Sequence, residues 1–190
     1  MTKIAIFASG AGSNAEKIIS FLRASGQKDV TVGLIVCNKP GAGVIKIAEN
    51  AQIPVLLIEK TPFFKENAYI SALKAHQIDF IVLAGFLWKI PPALIAAFPQ
   101  KIINIHPALL PKFGGKGMYG HFVHEAVIAA KELQSGITIH FVDEQYDHGA
   151  TIFQATCEVD ATDTAESLAQ KIHQLEHQHF APTILKLLQQ

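Results

Sequence analysis

Apolar and polar positions follow two alternating rhythms over the first 106 residues. Short β-rich runs are apolar on both faces: KIAIFA (3–8), VTVGLIVC (30–37), PVLLI (54–58), DFIVLA (79–84) and KIINIH (101–106). That pattern predicts strands of a parallel sheet covered by helices on each side. Between these runs the apolar residues recur at helical spacing. The helical stretches are Asn14 to about Ser25, GAGVIKIAEN (41–50), FKENAYISALKAH (64–76) and PPALIAAF (91–98). The prolines opening the last of these suit a first helical turn. No element is read from 107 to 135. Beyond it, GITIHFV (136–142) and ATIFQATCEV (150–159) are two strands joined by a short polar segment, which predicts an antiparallel addition. A long helix from Asp163 closes the pattern, with Pro182 a candidate bend. The expected class is α/β: a single Rossmann-like domain over residues 1–190, with a mostly parallel twisted sheet, helices on both faces and an antiparallel C-terminal addition.

Composition narrows the function classes. The 190 residues are 49% hydrophobic and 17% charged, and the formal net charge is zero. One substantial core is the natural expectation at this length. Arg23 is the single arginine, so the basic excess of a nucleic-acid binder is missing. Cys37 and Cys157 are too few for a disulfide framework and read as buried thiols. The start, MTKIAIFASG, is strand-like rather than a signal peptide. The longest apolar run, FIVLAGFLW (80–88), falls far short of the ~20 residues of a membrane span. A cytoplasmic protein with no membrane or nucleic-acid partner is expected.

Candidate chemistry gathers where an open α/β sheet places its sites, just beyond the carboxyl ends of strands. SGAGSN (9–14) joins the first strand to the first helix. Its small residues let backbone approach a ligand, and the helix N-terminus offers free amides to an anion. Gly10, Gly12 and Ala15 also satisfy a loose dinucleotide pattern, but the second strand ends in Cys37-Asn38-Lys39 without the carboxylate that holds a ribose. A phosphate fits better than NAD, and a tight capped turn remains open. In NIHPALLP (104–111), Asn104 and His106 stand two apart and share a strand face. Pro107 forbids continuation in a central strand, which leaves both side chains at its open end. An amide and an imidazole there could polarise a carbonyl and shuttle a proton; a histidine capped by its neighbours is the plain alternative. In DEQYDHG (143–149), Asp143, Glu144 and Asp147 read most simply as solvated turn residues unless the turn folds over His106. HQLEH (173–177) matches a zinc signature of inverted metalloproteases, with His173 and His177 on one helix face. Little sequence follows to supply a third ligand, and Glu176 is of more interest as a lone carboxylate for a substrate amine.

FASGAGSN, VLAGFLWKI (82–90), NIHPALLPKF (104–113) and GITIHFVDEQYDHG (136–149) occur in the order and spacing of the phosphoribosylglycinamide formyltransferases. The chain resembles that folate-dependent formyltransferase family across essentially its whole length. The resemblance implies transfer of the formyl group of 10-formyltetrahydrofolate, as co-substrate, to glycinamide ribonucleotide in purine synthesis, with no metal. It implies that His106 is the acid/base, that Asn104 polarises the formyl carbonyl, and that Asp147 keeps His106 protonatable. Gly12, Ser13 and Asn14 would bind the substrate phosphate, and Glu176 would orient the glycinamide amine. Leu87, Trp88, Lys89 and Ile90 would line the folate pocket with Asp143 and Glu144 of the 143–147 turn. Such enzymes often carry a folate-contacting Arg in the region of 63–69, where this chain offers Lys65 and Glu66; lysine is not an equivalent fork for a carboxylate. The loop GGKGMYGH (114–121) is longer and richer in glycine than in the family and reads as a flap, and neither His121 nor His124 gains a role.

Other readings stay open at this level. A formyltransferase acting on methionyl-tRNA or a nucleotide sugar, or a formyltetrahydrofolate deformylase, is the nearest rival. Such proteins usually carry a further domain, for which 190 residues leave no room. A silent folate- or nucleotide-binding module is another class. Monomer and homodimer are equally compatible with the sequence.

Overall fold

The computed structural model describes residues 1–189. Its strands are β1 (Thr2–Ala8), β2 (Val30–Cys37), β3 (Val55–Leu57), β4 (Phe80–Leu83), β5 (Ile102–His106), β6 (Gln134–Phe141) and β7 (Thr151–Glu158). They form one sheet in the order β3-β2-β1-β4-β5-β6-β7. The ladders from β3 to β5 are parallel, and those of β6 with β5 and β7 are antiparallel. The expected architecture is therefore present, and β1 and β4 flank the point where the chain switches its winding direction.

The double apolar face of the strand runs is buried in the central strands β1, β4 and β5, while the edge strand β3 leaves Leu57 exposed. Ile4, Ile6, Val82, Ile103 and Ile105 pack on one side, beneath α1 (Ser13–Ala24), α2 (Gly43–Asn50), α5 (His121–Ala129) and α6 (Ala165–Leu188). Ala5, Phe7, Ile81, Leu83 and Ile102 face the other side, beneath α3 (Ala68–Ala75) and α4 (Pro92–Ala97). This i, i+2 division follows from strand geometry. It also fixes the direction of two polar groups, because Asn104 and His106 continue the face that Ile102 begins. Among the described residues no helix is long and apolar enough to cross a membrane.

Two elements depart from the sequence expectation, and the long C-terminal helix agrees with it. The helix read through 64–76 is divided: Pro62–Glu66 forms a π-helical turn, and Asn67, with φ 51°, ends it before α3 starts. Asparagine tolerates that left-handed conformation better than most residues. The stretch 114–121 is a loop only as far as Gly120, since His121 begins α5, an element the apolar spacing was not seen to predict. Pro182 lies inside α6 without ending it. The start of α6 is fixed by reciprocal bonds, Ser167 N–H to Thr164 Oγ1 (3.2 Å) and Thr164 N–H to Ser167 Oγ (2.9 Å), which satisfy free donors of the first turn.

Candidate active site

The carboxyl ends of β1, β4, β5 and β6 open onto one cavity of about 660 Å³, a size that suits small-molecule ligands. At one end lies the turn between β1 and α1. Gly12 has φ +85°, and a Cβ there would meet Val44 Cα at 2.8 Å, so the turn needs glycine. Ser13 and Asn14 begin α1, where backbone amides have no helical acceptor. Asn14 Nδ2–H donates to Glu176 Oε2 on α6 at 2.9 Å, while Asn14 Oδ1 is buried with no partner. Burial raises the Glu176 carboxyl above its ordinary value, against the bond from Asn14 and the nearby His173.

The turn is tied to the neighbouring loop. Ser9 N–H donates to Gly85 O at 3.0 Å, and Leu87 N–H donates to Ser9 Oγ at 3.0 Å. This holds Leu87, Trp88, Lys89 and Ile90 along the cavity wall. Trp88 packs in an aromatic group with Phe63, Phe64 and Phe86 at centroid distances of 5.7, 5.6 and 6.2 Å. Lys89 Nζ lies 5.2 Å from the Tyr146 ring centroid, an attraction that spans the mouth between the 87–90 and 143–147 loops.

The centre of the cavity is built by β5 and β6. Their antiparallel register sets Asn104 opposite His140. His140 Nδ1 is 2.8 Å from Phe141 O, and its Nε2 is 3.2 Å from Asn104 Nδ2. A carbonyl can only accept, so Nδ1 carries the hydrogen and Nε2 accepts from the Asn104 amide. Burial holds the His140 imidazole below its ordinary pKa, outweighing its bond to Phe141 O and the nearby Asp147, which keeps that acceptor in place. The Asn104 amide is thereby oriented with one N–H spare.

His106 is 3% exposed. Its Nε2 is 2.8 Å from Phe113 O, so the same logic puts a hydrogen on Nε2 and leaves Nδ1 toward Asp147 Oδ1, 3.6 Å away. Asp147 Oδ1 also lies 3.7 Å from His140 Nε2, and Oδ2 accepts Gly115 N–H at 2.9 Å. One carboxylate thus faces both imidazoles and anchors the glycine-rich loop. The chain after His106 is steadied by Thr138, whose Oγ1 donates to Ala108 O (2.7 Å) and accepts Leu110 N–H (3.0 Å).

Of the residues expected from sequence, Gly12, Ser13, Asn14, Leu87, Trp88, Lys89, Ile90, Asn104, His106, Asp143, Asp147 and Glu176 line this one cavity. Glu144 is not in that wall and is exposed, beside Asp143, whose Oδ1 accepts Gln145 N–H at 2.8 Å. The Asp143 carboxyl feels burial, which pushes it up, but the bonds from His148 and Gln145 hold it below its ordinary value. His140, which the sequence did not single out, also lies in the wall, together with His124, His173 and the 115–120 loop, which were noticed but given no place in this site. The pairing of His140 with Asn104 was hidden because it depends on strand register, which neither segment shows alone. His173 and His177 stack with centroids 6.3 Å apart, and among the described residues no group of three or more His, Cys, Asp and Glu gathers to hold a metal ion.

A model of the formyl transferase family matches residues 2–184. The chain is 41% identical over 192 residues to the phosphoribosylglycinamide formyltransferase of Bacillus subtilis (strain 168), covering 99% of this chain and 95% of that one. It is also 41% identical over 187 residues to the chloroplastic phosphoribosylglycinamide formyltransferase of Arabidopsis thaliana. That match covers 96% of this chain but only 64% of the plant protein's length. Among solved structures, the phosphoribosylglycinamide formyltransferase from Bacillus halodurans superposes with a TM-score of 0.89 at 39% identity, covering 98% of this chain and 95% of that chain.

Proposed function

The chain belongs to the formyl transferase family, and we propose that it moves the formyl group of 10-formyltetrahydrofolate onto the amine of glycinamide ribonucleotide. One observation carries this reading. A single cavity joins an anion-ready helix terminus at Gly12–Asn14 to a carbonyl-polarising amide and a carboxylate-backed imidazole at Asn104, His106 and Asp147. The first suits a sugar phosphate, and the second suits acyl transfer.

The chemistry follows from the hydrogen-bond assignments. The nucleotide phosphate sits on the amides of Gly12, Ser13 and Asn14, and Glu176 directs the glycinamide amine inward. The formyl folate lies along Leu87–Ile90, under the aromatic group of Trp88. The amine nitrogen bonds to the formyl carbon, and the carbonyl oxygen becomes an oxyanion held by the spare N–H of Asn104. His106 takes the amine's proton at Nδ1, the nitrogen whose lone pair its bond to Phe113 O leaves free. Asp147 stabilises the resulting imidazolium. The carbon–nitrogen bond to the folate then breaks, and the proton returns to the departing folate nitrogen. Asp143, turned toward His148, shapes the rim of the folate pocket. No covalent enzyme intermediate is required.

The test is direct. The protein is mixed with a formyl-dideazafolate analogue and glycinamide ribonucleotide, and both products are measured. Stoichiometric formylated nucleotide and deformylated folate are expected. Formate without formylated nucleotide would make the protein a hydrolase. Folate binding with no turnover would make it a binding module.

A further inference from the structure

We infer that His124 is a recognition residue for the nucleotide, donating to or accepting from the uncharged hydroxyl or amide group that lies between the substrate's phosphate and its reacting amine. The inference rests on the substrate reading above. Three observations place it. His124 is 4% exposed and lines the cavity wall. Its Nδ1 is buried and has no hydrogen-bond partner, an arrangement that folded proteins rarely leave without a reason. Finally, the charged or titratable groups that act on it are all imidazoles: His121 on its own helix, His173 on α6 and His106 on β5.

The last point locates it along the ligand. His106 marks the reacting centre, while His173 lies one helical turn from Glu176, which accepts from Asn14 of the phosphate turn and in the reading above directs the amine. His124 shares the cavity wall with His106 and His173 and feels both, which suits the hydroxyls and amide of a ribosyl-glycinamide rather than its charged phosphate. Burial, with repulsion from the three neighbouring imidazoles, lowers its pKa to about 4. The ring is therefore neutral at physiological pH, with one donor and one acceptor. A neutral ring matches a hydroxyl or amide, and a fixed cation at this point would be unfavourable beside His106 as it gains a proton.

The experiment compares wild type with His124→Phe, which keeps an aromatic ring, and His124→Asn, which restores a donor and an acceptor. KM for glycinamide ribonucleotide should rise about tenfold in the phenylalanine variant, the usual effect of losing one bond at a buried site. KM for the formyl folate should stay within about twofold, and asparagine should recover part of the loss. The nucleotide effect should not change between about pH 6 and pH 8, since the ring stays neutral across that range. A 2′-deoxyribosyl analogue separates the two sources: its penalty disappears in the phenylalanine variant if the sugar hydroxyl is the partner and persists if the amide is. An unchanged nucleotide KM, or a loss shared equally with folate KM, overturns the assignment. If wild type transfers no formyl group, the substrate reading fails instead. Calorimetric binding of the nucleotide alone to the same three proteins then decides the role of His124 by itself: weaker binding to the phenylalanine variant supports it, and equal binding overturns it.

Discussion

Replacing Asp147 by asparagine isolates charge from shape. The amide oxygen can still accept Gly115 N–H, a bond of 2.9 Å in the native protein, so the loop keeps its anchor. What disappears is the attraction between the carboxylate and the imidazolium that His106 becomes during transfer. The two groups are 3.6 Å apart, and their side chains are only 4% and 12% exposed. At that separation, with an effective dielectric of about 20, the attraction is about 4–5 kcal/mol. Each 1.4 kcal/mol is about one decade, so kcat should fall by up to about 10³ in Asp147→Asn. Rapid-mixing absorbance with the dideazafolate analogue at saturating substrates measures it. Asp147→Ala should lose the same rate and, in addition, raise the KM values, because Gly115 loses its acceptor. Retention of more than a tenth of the wild-type kcat by Asp147→Asn would refute the electrostatic role.

Four further substitutions probe the rest of the site. Asn104→Ala should lower kcat by about 10²–10³, as for other oxyanion donors; His140→Phe should cost about tenfold by releasing the amide. The double variant should be no slower than Asn104→Ala, whereas additive losses would show that His140 acts elsewhere. Glu176 is raised by burial from its ordinary 4.5, so its stabilising contribution is complete below that pH and is lost as pH rises through the folded value. Glu176→Gln should therefore show a smaller fall in Tm between about pH 4.5 and pH 8 than wild type, with weaker nucleotide binding; equal slopes in thermal melts would contradict this. Gly12→Ala forces a side chain into a φ of +85° and against Val44, and should raise the nucleotide KM about tenfold or more without a comparable change in folate KM.

The sheet was legible because its central strands are buried on both faces, and runs such as KIAIFA and DFIVLA show no alternation of apolar and polar positions. The phosphate turn and the Asn104–His106 pair were legible for a local reason: each lies within one short segment, and Pro107 marks where the strand must stop. The site residues whose place the sequence did not show depend on distant partners. His140 matters through its register with Asn104, 36 residues away. His124 sits in a helix that follows a run of glycines, and its buried neighbours Val123 and Val127 supply a helical spacing that the loop-like sequence before it masks. Glu144 was grouped with Asp143 by adjacency, yet successive turn residues point in different directions. Asn67 divided a helix that the apolar spacing ran together, because a left-handed residue leaves no mark in hydrophobic periodicity.

The central claim is that His106, held by the Phe113 carbonyl and faced by Asp147, carries the proton of the transfer. The most direct test is the rate of formyl transfer to glycinamide ribonucleotide by wild type beside His106→Ala, with binding of both substrates measured separately. Transfer by wild type, and a loss of about 10²–10⁴ in kcat in the variant with both substrates still bound, is the predicted result. A His106→Ala protein that transfers formyl groups within about tenfold of the wild-type rate would contradict it.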